Sequence, residues 1–325
     1  NWNKILADIP HYSFNEQRRL PKIIKDVGPD LTHFLHFNAP VTFRGKFIVT
    51  IHDLLMHKQK GLAATTLSPI KYFVKRLGYK GVFAFAVTKS QMIIAPSNAI
   101  KDEIVDYYNI RGDKVAVTYE GVDALPVTGD KKRILEKFGI SSAYFIYTGN
   151  AYPHKNLKRA LKATLTLNKK RKEPVLFVVV CARSAFTEKL EKLVDEMGAT
   201  KYIKLLGFVP DYELGVLYRN SLGFLFASLS EGFGLPGLEA ILCGTVTLAS
   251  NIPVFKEAYG DNVIYFDPLS SSSIKKAMNE VVSMAPEVRA SLIKKAQKFA
   301  RRYSWDKMAR QTLKVYESCA SLRSG

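Results

Sequence analysis

The feature that most limits what this chain can fold into is an apolar run, Leu222 to Ala227, followed by Ser228-Leu-Ser-Glu231-Gly-Phe-Gly-Leu-Pro-Gly-Leu-Glu239. A short apolar run bounded by turn residues predicts a buried strand. The glycines predict a turn, and Pro236 predicts the first turn of a helix, where its missing N–H costs nothing. Strand, glycine turn and helix start together aim free backbone N–H groups at a bound anion. Here those donors are the amides of Phe233, Gly234 and Leu235. Glu231 precedes the turn and Glu239 is expected in the helix's first turn. An ionised carboxylate only accepts hydrogen bonds, so it suits a ligand with several hydroxyls. Amides for phosphate and carboxylates for hydroxyls describe the recognition of a sugar nucleotide. The alternative is a plain glycine turn with one glutamate placed favourably for the helix dipole.

The pattern Glu-Gly-Phe-Gly-Leu-Pro-x-Leu-Glu-Ala resembles the retaining glycosyltransferases of the sucrose-synthase and mannosyltransferase type, the glycosyl transferases group 1. The resemblance implies an α/β protein of GT-B architecture, with two Rossmann-like, doubly wound domains facing a cleft. It also implies that Glu231 contacts the donor sugar and Glu239 the ribose diol. It extends from about Leu31 to Ser321. The N-terminal domain is expected to be incomplete, because a glycine-rich loop that opens the family is not found. That leaves open a nucleotide-sugar-binding remnant without transferase activity.

Alternating strand and helix patterns organise the rest. Strands are predicted at 31–36, 46–51, 92–95 and 115–119, with helices near 15–26, 69–88 and 97–108. After a turn-rich connection, six more are predicted at 144–148, 175–180, 202–206, 222–227, 246–249 and 263–266. Helices are predicted near 156–170, 186–197 and 212–220. Such alternation indicates parallel sheets, and 325 residues suit two domains. The expected boundaries are 1–123, 124–302 and 303–325. The last segment is read as a helix that, by the resemblance, crosses back to the first domain.

Further motifs fall where those strands end. Tyr147-Thr-Gly149-Asn150-Ala-Tyr-Pro-His154-Lys155-Asn156 follows the second half's first strand, at the edge where open α/β sheets bind ligands. The resemblance assigns Lys155 to the donor diphosphate, with Gly149 and Asn150 beside it. Otherwise Lys155 is a solvated lysine at a helix start, where it would oppose the dipole. Phe208 and Val209 resemble the family's loop over the nucleotide base, or form a strand exit capped by Asp211. Thr50-Ile-His52-Asp53-Leu54 resembles a His-Asp-Leu element of the mannosyltransferase-like branch that faces donor and acceptor. His52 is therefore expected in catalysis and, with Asp53, on the acceptor side. A structural histidine and a turn-capping Asp53 remain the alternatives.

The net charge of +19 suits anionic partners. No nucleic-acid docking motif accompanies it, so nucleic acid is not expected as a partner. Lys71 to Lys89 mixes basic residues with Tyr72, Phe73, Tyr79, Phe83 and Phe85. This is read as a surface for peripheral contact with an anionic membrane, or as a helix whose aromatics are core. Three dispersed cysteines fit a reducing, cytoplasmic setting. Neither an Asp-x-Asp metal pair nor a dinucleotide Gly-x-Gly-x-x-Gly occurs. No metal or cofactor is expected beyond the substrate nucleotide-diphosphate sugar, for which the His-Asp-Leu resemblance favours GDP-mannose. The expected acceptor is a glycan or a lipid-linked species.

Overall fold

The computed structural model describes residues 3–58 and 68–321. Its backbone divides into two units, Asn1–Tyr119 with Asp306–Gly325, and Glu120–Trp305.

The first unit opens with α1 (Phe14–Val27), where Ser13 Oγ accepts from the Glu16 amide and Gly28 ends the helix in a left-handed conformation. Then come β1 (Thr32–Phe34), β2 (Phe47–Thr50), α2 (Leu55–Lys58), α3 (Pro69–Lys89), β3 (Ile93–Ala95), α4 (Asn98–Tyr108) and β4 (Val115–Val117). The strands form one sheet in the order β1-β2-β3-β4, every pair parallel. Ser97 caps α4 as its position predicted, accepting from the Ile100 amide. The one-turn helix α2 was not anticipated; its four residues are too few to show a helical period. The chain's last helix, α13 (Trp305–Ser321), belongs to this unit from Asp306 on. Val315 and Cys319 pack on Ile48 and Ile94. His33 bridges the helix and the sheet, with Nδ1 2.7 Å from the Tyr316 hydroxyl and Nε2 2.8 Å from Thr50 Oγ1.

Aromatic residues fill the space between α3, α4 and the sheet. Phe83 and Tyr72 are buried, and Phe85 stacks on Phe47 at 5.8 Å. Most of the aromatics proposed for a surface are therefore core, and Phe73 alone of those five is well exposed. The side chain of Lys71 lies outside the described ones. His57 sits among these rings, its Nε2 2.8 Å from the Tyr108 hydroxyl and its Nδ1 3.1 Å from that of Tyr79. Burial foremost, then Lys80 and Arg76, push its pKa down to about 4, against a smaller pull from Asp53.

That depressed pKa has a consequence for stability. An unfolded histidine titrates near ~6.5. Between there and about 4 the unfolded chain takes up a proton that the folded chain refuses. Stability is therefore expected to fall as pH drops through this window, by on the order of 2 kcal/mol for such a site. Urea midpoints at pH 7 and pH 4.5 measure it. His57→Gln should lose part of the slope, and an unchanged slope would remove His57 from the account.

The second unit continues with α5 (Lys131–Lys137), β5 (Tyr144–Thr148), α6 (Leu157–Asn168), β6 (Leu176–Val180), α7 (Ala185–Glu196) and β7 (Ile203–Leu206). Then follow α8 (Asp211–Asn220), β8 (Gly223–Phe226), α9 (Leu235–Leu242), β9 (Thr247–Ser250), α10 (Pro253–Tyr259), β10 (Ile264–Phe266), α11 (Ser271–Val282) and α12 (Pro286–Ala300). All six strands pair in parallel in the order β10-β9-β8-β5-β6-β7. Read from the other edge, this is the doubly wound order whose direction reverses between β5 and β8. β5, β6 and β8 are buried almost throughout, as central parallel strands must be when helices cover both faces.

Candidate functional site

A doubly wound sheet binds its ligand where the strand order reverses, outside the carboxyl ends of the two strands concerned. Here those strands are β5 and β8, which pair directly through Phe145–Gly223 and Ile146–Phe224. The two sequence motifs that leave them, 149–156 and 228–239, meet at that point.

The loop after β5 is built on hydrogen bonds. Gly149 has φ +141°, and a β-carbon there would stand 2.8 Å from the Tyr147 hydroxyl. That hydroxyl donates to the Asn150 carbonyl at 2.7 Å. The Asn150 side chain turns back on its own loop, Oδ1 accepting from the Tyr152 amide at 3.3 Å. A short 3-10 turn, Pro153–Lys155, leads to Asn156 in a left-handed conformation. Asn156 Nδ2 donates to the carbonyls of Ala227 and Pro268, at 2.9 and 2.8 Å. The Leu229 amide donates to the His154 carbonyl at 2.8 Å. The two loops are thereby tied together.

The tie places Lys155 Nζ 2.6 Å from Glu231 Oε1, with side-chain exposures of only 12% and 13%. Lys155 also lies 5.7 Å from the centre of the Phe226 ring. Its neighbour His154 is buried, and its Nδ1 has no hydrogen-bond partner among the described residues. Burial foremost, with Lys155 beside it, pushes the His154 imidazole down to about 3. At neutral pH it carries no charge, so Lys155 is the cation this loop directs toward Glu231.

Beyond Glu231 the chain turns into α9, with Gly234 as N-cap at φ +105° and Pro236 in the first turn. The Tyr259 hydroxyl donates to the Gly234 carbonyl at 2.7 Å and holds the turn from below. Phe233 is buried against the edge of Tyr303, ring centres 5.1 Å apart. The helix starts at Leu235, and its first-turn amides have no carbonyl within the helix to bond. One expectation is corrected here. Glu239 lies in the second turn of α9, since no acidic residue occupies the first. The dipole does not set its environment; burial does. Burial foremost, then Asp211 nearby, raises its carboxyl above the ordinary range.

Phe208 and Val209 follow β7, two strands from β5. Phe208 is 81% exposed and Val209 is buried. Asp211 does not cap α8; Pro210 is its N-cap and Asp211 its first residue. In the other unit, His52 follows β2 and is exposed. Its Nε2–H donates to the Leu35 carbonyl at 3.1 Å, and its ring stacks on His36 at 6.4 Å. Asp53 Oδ1 accepts from the Leu55 amide at 2.8 Å, which is a turn-capping role. Among the described residues no three His, Cys, Asp or Glu side chains are grouped to hold a metal ion.

A family model described as "Glycosyl transferases group 1" matches residues 130–299, more than half of the chain and nearly all of the second unit. The chain belongs to the group 1 glycosyl transferases. A second family model, "Glycosyltransferase Family 4", matches residues 3–124. Among curated proteins this glycosyl transferase is 24% identical over 283 residues to the O-antigen chain mannosyltransferase RfbU of Salmonella typhimurium, covering 85% of the chain and 75% of that protein. It is 26% identical over 316 residues to the O-antigen chain mannosyltransferase B of Escherichia coli, covering 95% and 80%. Its structure matches sucrose-phosphate synthase from Thermosynechococcus elongatus with a TM-score of 0.76 at 17% identity, covering 97% of this chain and 81% of that one. It matches Anabaena Alr3699/HepE, solved with UDP and glucose, with a TM-score of 0.72 at 17% identity, covering 96% and 84%. The glycosyl transferase thus has the GT-B fold that its motifs implied.

The loops also contain anchoring positions that reading the sequence did not single out. Asn156 ties the β5 and β8 loops, and its only signal was an asparagine at a strand-to-helix turn. Tyr147 and Tyr259 hold the backbone of Asn150 and Gly234. Nothing local to either tyrosine announces that role.

Proposed function

We propose that this glycosyl transferase moves a hexose, with mannose favoured, from a nucleotide-diphosphate sugar to a glycan or lipid-linked acceptor. The anomeric configuration is retained and no metal takes part. The observation that carries this reading is the enclosed Lys155–Glu231 pair between the β5 and β8 loops, one short turn before the start of α9. A diphosphate that enters there meets a lysine, a compact point charge, and the amides of Gly234 and Leu235. As the glycosidic bond breaks, the leaving diphosphate gains negative charge, and fixed donors stabilise that charge most when water is excluded. Lys155, drawn onto phosphate oxygens, frees Glu231 to accept hydrogen bonds from sugar hydroxyls. Glu239 accepts from the ribose diol. Its half-buried carboxyl is raised by lost water, and two hydroxyl donors would compensate it. Phe208 and Val209 border the base, and His52 serves the acceptor side. Mannose is favoured by the His-Asp-Leu element and by the mannosyltransferase names of the two curated relatives.

The experiment is a thermal-shift screen of nucleotide sugars followed by transfer of labelled sugar in EDTA. GDP-mannose at 100 times its dissociation constant is expected to add ~2.7 kcal/mol of stability, and transfer is expected to continue in the chelator. Indifference to every nucleotide sugar would sink the donor assignment. Activity lost in EDTA and restored by Mg²⁺ would sink the account of the leaving group.

A further inference from the structure

The outer surface of α6 carries a charge pattern that no part of the reaction above uses. From Lys155 to Lys172 the chain has eight lysines and arginines and no aspartate or glutamate. Lys155 meets Glu231, and Arg159 Nη1 donates to Asn156 Oδ1 at 2.9 Å. The other six, Lys158, Lys162, Lys169, Lys170, Arg171 and Lys172, have no ion-pair partner among the described residues. All six are exposed. Leu157, Leu161, Thr164 and Leu167 are buried and fix the inner face of the helix. Lys158, Lys162 and Lys169 are spaced by four and seven residues, so they share one outer stripe.

Such a row has a cost that no carboxylate in it offsets. Lysines four apart on a helix repel one another, and Lys158 also opposes the positive end of the helix dipole. Only the cations at the other end, from Lys169 on, are favoured by it. The stripe runs about 16 Å from Lys158 to Lys169. It begins beside the candidate site, since Asn156, the N-cap of α6, also ties the β5 and β8 loops. No large apolar side chain is exposed along it: among the described residues, none between Tyr152 and Phe208 is. A helix that lies on a bilayer needs apolar residues to bury there, and a single-stranded nucleic acid needs aromatic rings for its bases. A hydrated, linear polyanion needs neither.

We propose that the α6 stripe binds an acidic glycan, a chain whose sugars carry carboxylates. Lysine ammonium groups are compact, strongly hydrated charges. They match carboxylates set singly along a hydrated chain. A glycan laid along α6 keeps its hydroxyls in water and has its charges met by Lys158, Lys162 and Lys169. The inference rests on the transferase reading for its purpose and narrows it, by making the acceptor an acidic polysaccharide rather than a neutral one. Its binding is tested without turnover.

A fluorescently labelled galacturonate pentamer and a mannose pentamer are titrated into the intact protein and followed by anisotropy. At low salt the galacturonate chain is expected to bind at least about tenfold tighter, as several exposed ion pairs of modest strength add up to. It should be released near 1 M salt, where the screening length falls to ~3 Å. Lys162→Glu combined with Lys169→Glu should weaken galacturonate by about tenfold or more, and the matching pair of glutamine variants should weaken it less. The control is Lys294→Glu combined with Lys298→Glu, two exposed positions on α12 that change the net charge by the same amount. It should leave galacturonate binding within about twofold of the parent, because more distant charges are screened. All of these positions are exposed, so unfolding midpoints and the thermal shift with GDP-mannose should stay as in the parent. Equal binding of the two pentamers, or equal weakening by the α6 and α12 variants, overturns the proposal. So does tighter binding of phosphatidylglycerol vesicles or single-stranded DNA through Lys162 and Lys169, since the stripe would then serve a membrane or a nucleic acid. A protein that responds to GDP-mannose but not to galacturonate loses this inference and keeps the transferase reading. Galacturonate binding through α6 by a protein that ignores all nucleotide sugars would leave the stripe standing and remove the transferase reading instead.

Discussion

Replacing Lys155 with methionine is expected to lower kcat/KM for sugar transfer by about 10²–10³, the usual loss when one fixed donor to a developing anion is removed. The same change should also destabilise the fold. Glu231 is only 13% exposed and would lose the partner 2.6 Å away. For a fully enclosed pair that costs about 3–5 kcal/mol, and the residual exposure of this one keeps it toward or below the lower figure. The two effects separate in a double-mutant cycle. Glu231→Gln removes the orphaned charge, so Lys155→Met combined with Glu231→Gln should regain most of the lost stability. It should regain none of the activity, because neither the phosphate contact nor the sugar contact has returned. If the double variant recovers turnover as well as stability, Lys155 and Glu231 are a structural buckle and the leaving-group account is wrong. Lys155→Arg is informative in the same assay. A planar fork does not replace a point charge in an enclosed space, so only partial activity is expected.

That pair also marks the limit of what could be read from the chain. Lys155 and Glu231 were each singled out through their own motifs, one for phosphate and one for sugar. Their contact joins residues 76 apart in sequence, and no local pattern encodes it. The strands were legible because a central parallel strand is a continuous apolar run, as Phe145 to Tyr147 and Phe177 to Val180 illustrate. Their order was not, since it depends on which way each crossover helix carries the chain. The reversal between β5 and β8 explains why the two loops that looked most like binding loops are neighbours in space.

Short elements and tyrosine hydroxyls were illegible for a different reason. α10 spans seven residues with Pro253 in its first turn. Its proline was a usable start signal, but too few turns follow to display a period. The basic, aromatic stretch of α3 left two readings open. Residue type alone did not decide between a surface and a core for its aromatics; Tyr72 and Phe83 are buried, and the aliphatic Ile70, Val74 and Leu77 are exposed. Which stripe of an amphipathic helix is inside is decided by the partner surface, and a helix with apolar residues on two stripes does not announce the choice. Glu239 was placed in the first turn because Pro236 was read as the helix start; α9 begins one residue earlier, at Leu235 after its glycine cap, which puts Glu239 fifth in the helix, where burial sets its environment.

Gly234→Ala is expected to be strongly disruptive. The residue has φ +105°, where a side chain is strained by about 1–3 kcal/mol. Its β-carbon would lie 2.4 Å from the Tyr259 hydroxyl and 2.9 Å from Phe255 Cε1. Both rings are fully buried, so neither can swing aside. Displacing Tyr259 would also break the bond its hydroxyl donates to the Gly234 carbonyl, worth about 1 kcal/mol net. The sum is on the order of 3–5 kcal/mol. Whatever part of it the protein relieves must come from moving the start of α9, which is where the donor's phosphates are proposed to sit. Gly234→Ala should therefore lose its thermal response to GDP-mannose at temperatures where it is still folded. Gly237→Ala supplies the control. That residue has no positive φ, but its β-carbon would stand 2.3 Å from the same hydroxyl. Tyr259→Phe removes the colliding atom, so it should rescue part of the stability lost in Gly237→Ala and little of that lost in Gly234→Ala, where the backbone strain remains. Gly234→Ala with the parent's unfolding midpoint and the parent's donor response would mean that the turn before α9 is not the rigid phosphate cradle described above.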